Sequence, residues 1–200
     1  MFRIGVILPA VVSSLPLWSS PSTSASVSSA PAGPTPGRAV AYQINSFHDG
    51  AASGSIFAPP LTLKWSTNFT GAVSYPLVVD GRIYVTVASS SGYGTTLHAF
   101  QIQGGQSLWS QPISGTYFWS NAAYDDGKVF VLNFDGLLRA FDAVTGTPLW
   151  QLQLPGQYAF SSPPTATDGV VYAGGAGSGG TVYAVDEATQ TVLWTQSVAN

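Results

Sequence analysis

Cysteine is absent from all 200 residues, which excludes a disulfide framework, a thiolate metal centre and a cysteine nucleophile. Charge is scarce as well: Asp, Glu, Lys and Arg make up 8% of the chain, six basic residues against nine acidic, for a net charge of −3. No basic cluster exists to neutralise a phosphate backbone, so no nucleic-acid partner is expected. So little charge also argues against long salt-bridged helices, whereas 22 Gly, 14 Pro and abundant Ser and Thr favour short strands and turns. The mostly apolar run from Ile4 to Leu17 is too short for a membrane span. Hydrophobic residues nonetheless reach 45%, enough for a packed core at this length.

Met1-Phe2-Arg3 gives the apolar run a positive start, and small residues follow it, including Thr23-Ser24-Ala25 and Ser28-Ser29-Ala30. That order is the pattern of a signal peptide, with residues 1–30 expected to be removed by cleavage within Ala25 to Ala30. No cysteine is available for a lipid anchor. From Ser19 to about Gly37 the chain is almost entirely Ser, Pro, Thr, Ala and Gly, and residues 31–41 read as a linker, which leaves 42–200 for the fold. The expected destination is secreted or periplasmic.

A repeat dominates the remainder. Trp65, Trp109, Trp150 and Trp194 are separated by 44, 41 and 44 residues, and Ala99, Ala140 and Ala184 each precede the last three by ten. Each unit also carries an Asp-Gly pair before an apolar run: Asp80-Gly81, Asp126-Gly127 and Asp168-Gly169. Asp-Gly between apolar runs predicts a tight hairpin, since glycine tolerates positive φ and aspartate bonds its own turn. Each unit therefore predicts four antiparallel strands: one before the Asp-Gly turn, one after it, one ending near the alanine and one bearing the tryptophan. Runs such as Val129-Phe130-Val131-Leu132 are apolar on both faces, as in a sheet sandwiched between two others. Four strands in about 40 to 45 residues is the period of a β-propeller blade.

The segment Ala140-Phe-Asp142-Ala-Val-Thr145-Gly146-Thr-Pro-Leu-Trp150 matches A-x-D-x-x-T-G-x-x-x-W and resembles the tryptophan-docking motif of propellers with pyrroloquinoline-quinone (PQQ)-type repeats. The copy containing Ala184 and Asp186 departs at Gln190, and the copy from Ala99 departs at Gln101 and Gly104. The resemblance implies an all-β propeller with each tryptophan held by the next blade. About three blades are expected, plus one orphan strand around Trp65, hence an incomplete ring and an N-terminal fragment of a longer propeller.

Chemical motifs are sparse. Gly175-x-Gly177-x-x-Gly180 precedes a strand rather than a helix, so an interstrand loop is expected instead of a dinucleotide site. Two histidines, His48 and His98, do not make a usual catalytic zinc centre by themselves. His98 shares its repeat position with Arg139 and Tyr183, which points to a structural role; His48 sits in a lead-in segment expected to cap one end of the ring. Asp49, Asp125, Asp135 and Glu187 fall outside the repeat positions, with no recognisable carboxylate pair in sequence. Asn68-Phe69-Thr70 is a formal glycosylation sequon. Tyr117, Trp119, Tyr158 and Phe160 break the repeat and form a possible binding face, with interblade packing as the alternative.

From a specific fold motif without catalytic motifs, the expected function is an exported, non-catalytic scaffold binding a protein, glycan or cell-envelope component, without cofactor. The alternative that the resemblance implies is the N-terminal part of a PQQ-dependent alcohol or sugar dehydrogenase, with the quinone and a calcium ion on the ring axis and an aspartate as base.

Overall fold

The computed structural model describes residues 2–6, 37–51, 59–90, 92–115, 120–157, 159–176 and 179–198. Among them lie three four-stranded antiparallel sheets, each a meander in chain order. The first is β3 (Leu77–Val79), β4 (Arg82–Ala88), β5 (Thr95–Gln101) and β6 (Ser107–Ile113); the second is β7 (Ser120–Asp125), β8 (Lys128–Asn133), β9 (Leu137–Asp142) and β10 (Pro148–Gln153). The third is β11 (Thr165–Thr167), β12 (Val170–Gly175), β13 (Thr181–Asp186) and β14 (Val192–Ser197). These are the expected blades, set side by side as an arc of a propeller.

All three Asp-Gly pairs form their hairpins with both residues at positive φ: 48° and 77° at Asp80-Gly81, 35° and 77° at Asp126-Gly127, 54° and 78° at Asp168-Gly169. That geometry twists with the flanking strands, which is why Asp-Gly recurs there. At the same end of each blade the turn between strands three and four is tied to it. Ile102, Ala143 and Glu187 donate their backbone N–H to the carbonyls of Gly81, Gly127 and Gly169 at 2.9, 2.9 and 3.0 Å.

Every fourth strand carries a β-bulge at one repeat position, unforeseen in the sequence. Trp109 pairs with Ala99 and Ser107 with Phe100; Trp150 pairs with Ala140 and Pro148 with Phe141; Trp194 pairs with Ala184 and Val192 with Val185. The extra residue is always the leucine before the tryptophan, and Leu108, Leu149 and Leu193 are exposed. A bulge re-aims the next side chain, so the leucine turns outward and the indole turns toward the neighbouring blade. The alanine opposite leaves room for a ring from strand two: Tyr84 and Trp109 lie 5.8 Å apart, Phe130 and Trp150 5.7 Å, Tyr172 and Trp194 6.1 Å.

Two apolar clusters join the sheets. Leu77, Tyr84, Leu97 and Ile113 meet Ala122, Val129, Val131 and Phe141 between the first and second. Phe130, Leu132 and Leu138 meet Ala166, Val171, Tyr183 and Val185 between the second and third. β4 and β8 are buried on both faces, as expected for sandwiched strands.

The lead-in segment crosses the inner strands of all three sheets. Ala39 exchanges 2.7 Å backbone bonds with Val78, Val40 accepts from the Tyr124 N–H at 2.8 Å, and His48 Nε2 lies 2.6 Å from Thr165 Oγ1. The last residues of the expected linker thus sit on a sheet edge. β2 (Trp65–Phe69) stands outside the four-stranded sheets and pairs antiparallel with β1 (Phe2–Val6), while Trp65 and Phe69 pack on Ile83, Val85 and Phe100 of the first sheet.

Candidate functional site

Tryptophan docking recurs at the blade junctions, with unequal completeness. Trp65 Nε1 donates to Ile102 O at 2.8 Å, and its ring covers Gly105 (φ 70°), where a Cβ would lie 2.5 Å from the indole. Trp109 Nε1 donates to Ala143 O at 3.3 Å, and a Cβ at Gly146 (φ 74°) would lie 2.5 Å from its indole. Glycine is required at both positions by close approach as much as by conformation. At the third junction the equivalent residue is Gln190, held at φ 61°, and Trp150 Nε1 is buried without a partner. Trp194 has no following blade among the described residues and is 47% exposed.

The other motif residues build the turn under each indole. Asp142 Oδ1 accepts from Val144 N, Thr145 N and Thr145 Oγ1 at 3.0, 2.7 and 2.8 Å. Asp186 repeats this with Ala188 and Thr189. Hydrogen bonds from Thr145 and Thr189 hold these two carboxyls below their ordinary pKa, because donors favour the ionised form. In the first blade Gln101 replaces the aspartate, and the turn keeps its backbone bonds, Gln101 N to Gln106 O and Gly105 N to Gln101 O.

Of the possible binding face, Tyr117, Trp119 and Tyr158 lie outside the described residues. Phe160 does not form part of an exposed face: it is 1% exposed and packs 5.7 Å from Tyr183, so the packing alternative holds there. His98 lies between Phe69 and Phe100 at 5.2 and 5.9 Å, and burial lowers its pKa. At the equivalent positions Arg139 donates to Ser114 O at 3.0 Å and the Tyr183 hydroxyl to Pro155 O; both tie strand three to the chain leaving the preceding blade. Gly175 ends β12 and Gly180 precedes β13, so the glycine-rich stretch joins two strands.

Beneath the lead-in segment, at the Asp-Gly end, lies a cleft of about 510 Å³ lined by Arg38, Asp80, Asp125, Asp126 and Asp168 with Val40, Phe47 and Tyr124. Arg38 is already engaged, 3.0 Å from Asp80 Oδ2 and 5.3 Å above the Tyr124 ring. A wall of aspartates repels a polycarboxylate such as PQQ. Among the described residues no three His, Cys, Asp or Glu side chains converge to hold a metal ion. That cleft therefore does not fit the quinone with its calcium.

Two of the acids outside the repeat positions do meet, a pairing invisible in sequence. Glu187 of the third blade is buried against Lys128, with Oε2 3.2 Å from Nζ, and the Asp125 carboxyl lies within reach of it. Burial, opposed by Lys128 and reinforced by Asp125, pushes the Glu187 carboxyl up to about 6.

Residues 93–200 match the family model described as "Outer membrane protein assembly factor BamB", a PQQ-repeat model. The chain is 32% identical over 138 residues to 1-butanol dehydrogenase (cytochrome c) of Thauera butanivorans, covering 60% of this chain and 19% of that protein. It is 29% identical over 155 residues to quinohemoprotein alcohol dehydrogenase ADH-IIG of Pseudomonas putida, covering 67% of this chain and 21% of that protein. The chain spans about a fifth of the length of these relatives. Among solved structures, a europium-containing methanol dehydrogenase superposes with a TM-score of 0.68 at 23% identity over 82% of this chain and 32% of that one, a likeness of fold. These relatives overturn the expected non-catalytic scaffold and the expected absence of a cofactor: they are alcohol dehydrogenases, and one is named a quinohemoprotein. The absence of catalytic motifs misled, because the repeat encodes blade packing, and blade packing is indifferent to chemistry.

Proposed function

Since this chain belongs to the PQQ-repeat family whose model its residues 93–200 match, we propose that it forms blades of an exported, quinone-dependent alcohol dehydrogenase. The observation that carries the reading is the 32% identity over 138 residues with the butanol dehydrogenase. A short primary alcohol is the substrate class it suggests. The role assigned to the described residues is to build and space the blades. Among them no three His, Cys, Asp or Glu side chains converge to hold a metal ion, and no chemical step is assigned to these side chains.

Export rests on the positive start and apolar run of residues 1–30, followed by the linker at 31–41 and the repeat domain from 42. Among the described residues no helix is long and apolar enough to cross a membrane. The sparse basic charge argues against a nucleic-acid partner, and the lack of cysteine against a thiol-linked lipid. Mass spectrometry of the exported protein checks the leader, with an N-terminus after one of residues 25–30 expected and an intact Met1 contradicting it.

The activity is tested on the natural gene product carrying these residues, loaded with PQQ and Ca²⁺ and given 1-butanol and an artificial electron acceptor. Alcohol-dependent dye reduction with stoichiometric quinone uptake is expected. A folded product that takes up no quinone and reduces no dye overturns the reading.

A further inference from the structure

We infer that the junction between the second and third blades is a proton-binding site, in which the buried Glu187 carboxyl, set against the Asp125 carboxyl, holds a proton whose loss as pH rises loosens the junction. The inference is independent of the dehydrogenase reading.

Glu187 side-chain exposure is 3%. Its Oε2 accepts from Lys128 Nζ at 3.2 Å, but its Oε1 is buried with no hydrogen-bond partner. The neighbouring group is the Asp125 carboxyl, whose Oδ2 accepts from Gly169 N at 3.0 Å. Two ionised carboxylates are acceptors only and cannot satisfy each other. One proton between them supplies the missing donor and leaves a single negative charge against Lys128. When that proton passes to water, two carboxylates face one ammonium, which Asp126 also approaches, its Oδ2 3.8 Å from Nζ. The remaining charge beside Glu187, Asp186 in its own turn, is engaged with Ala188 and Thr189 and supplies no donor.

The contact also sits where docking is weakest. Glu187 aligns with Ile102 and Ala143, whose carbonyls receive the indole N–H at the other two junctions. Here that N–H, on Trp150, is unpartnered, and Gln190 replaces the glycine under the ring. With the usual lock incomplete, the carboxyl pair bears a larger share of the junction.

The sign follows from the raised carboxyl. Glu187 moves from 4.5 to about 6 on folding, so its contribution is fully present below the unfolded value and is lost as pH rises through about 6. Within that window the folded-to-unfolded ratio falls by up to about tenfold per pH unit.

The test is urea unfolding of the full chain at pH 5.0 and 7.5, beside Glu187→Gln and Asp125→Asn. The wild-type folding constant is expected to fall about eightfold over that interval, and Glu187→Gln to lose most of the fall because its amide supplies a permanent donor. A ¹³C carboxyl titration of the wild-type protein reads the site directly, even if a variant fails to fold. A Glu187 midpoint near 6 that drops in Asp125→Asn supports the proton-binding site. A wild-type midpoint in the ordinary glutamate range, or undiminished pH dependence in a folded Glu187→Gln protein, overturns it.

Discussion

The junction between the first and second blades and the one between the second and third use the same architecture and close it differently. At the former, Trp109 lies on Gly146 and donates to Ala143 O, and the Tyr84 hydroxyl donates to the same carbonyl at 2.8 Å. At the latter, Trp150 meets a glutamine turn, its N–H is orphaned, and an acid pair with one lysine fills the position. A propeller repeat therefore fixes where two blades meet, while individual residues decide whether the contact is neutral or depends on protonation.

The largest expected effect comes from removing the complete lock. Trp109→Ala should lose about 3–5 kcal/mol in urea unfolding, the range for truncating a large packed aromatic, whereas Trp194→Ala, at an exposed position, should lose under about 1 kcal/mol. Equal losses would dissolve the distinction between a docked and an undocked tryptophan. Gly146→Val should lose about 2–4 kcal/mol, because a branched side chain is strained at φ 74° and its Cβ meets the Trp109 ring. Asp142→Ala should lose about 1–2 kcal/mol, since two turn N–H groups and the Thr145 hydroxyl lose their acceptor. The smallest effect has the opposite sign. Gln190→Gly should stabilise by about 0.5–1 kcal/mol by relieving a left-handed non-glycine residue at φ 61°, and a destabilisation would mean that the glutamine side chain is an essential part of the third junction.

Much of this fold was legible because it is set by short-range chemistry repeated three times. The Asp-Gly pairs specify hairpins through their own φ preference, and the Ala…Trp spacing places an indole opposite a small residue on the adjacent strand. The bulge at Leu108, Leu149 and Leu193 has no sequence signal, since nothing in a leucine marks it as the extra residue of a ladder. Phe160 was ambiguous for a related reason: an aromatic residue before an inner strand can face a loop surface or the adjacent blade, and only the contact with Tyr183 decides. Asp125 and Glu187 stand 62 positions apart and meet only because adjacent blades pack in register, so no local pattern announces them. The functional expectation failed for a broader reason. The residues that repeat are those that pack, and an enzyme and a scaffold built on this repeat share them.

The contrast between the junctions is tested most directly by native-state hydrogen exchange at pH 5 and pH 7, with intrinsic exchange rates divided out. Protection in β11–β14 should fall as pH rises, while β3–β10 keep theirs, because only the third blade is held through a buried proton. Equal changes across all three sheets, or a third blade whose protection does not change with pH, would contradict the account.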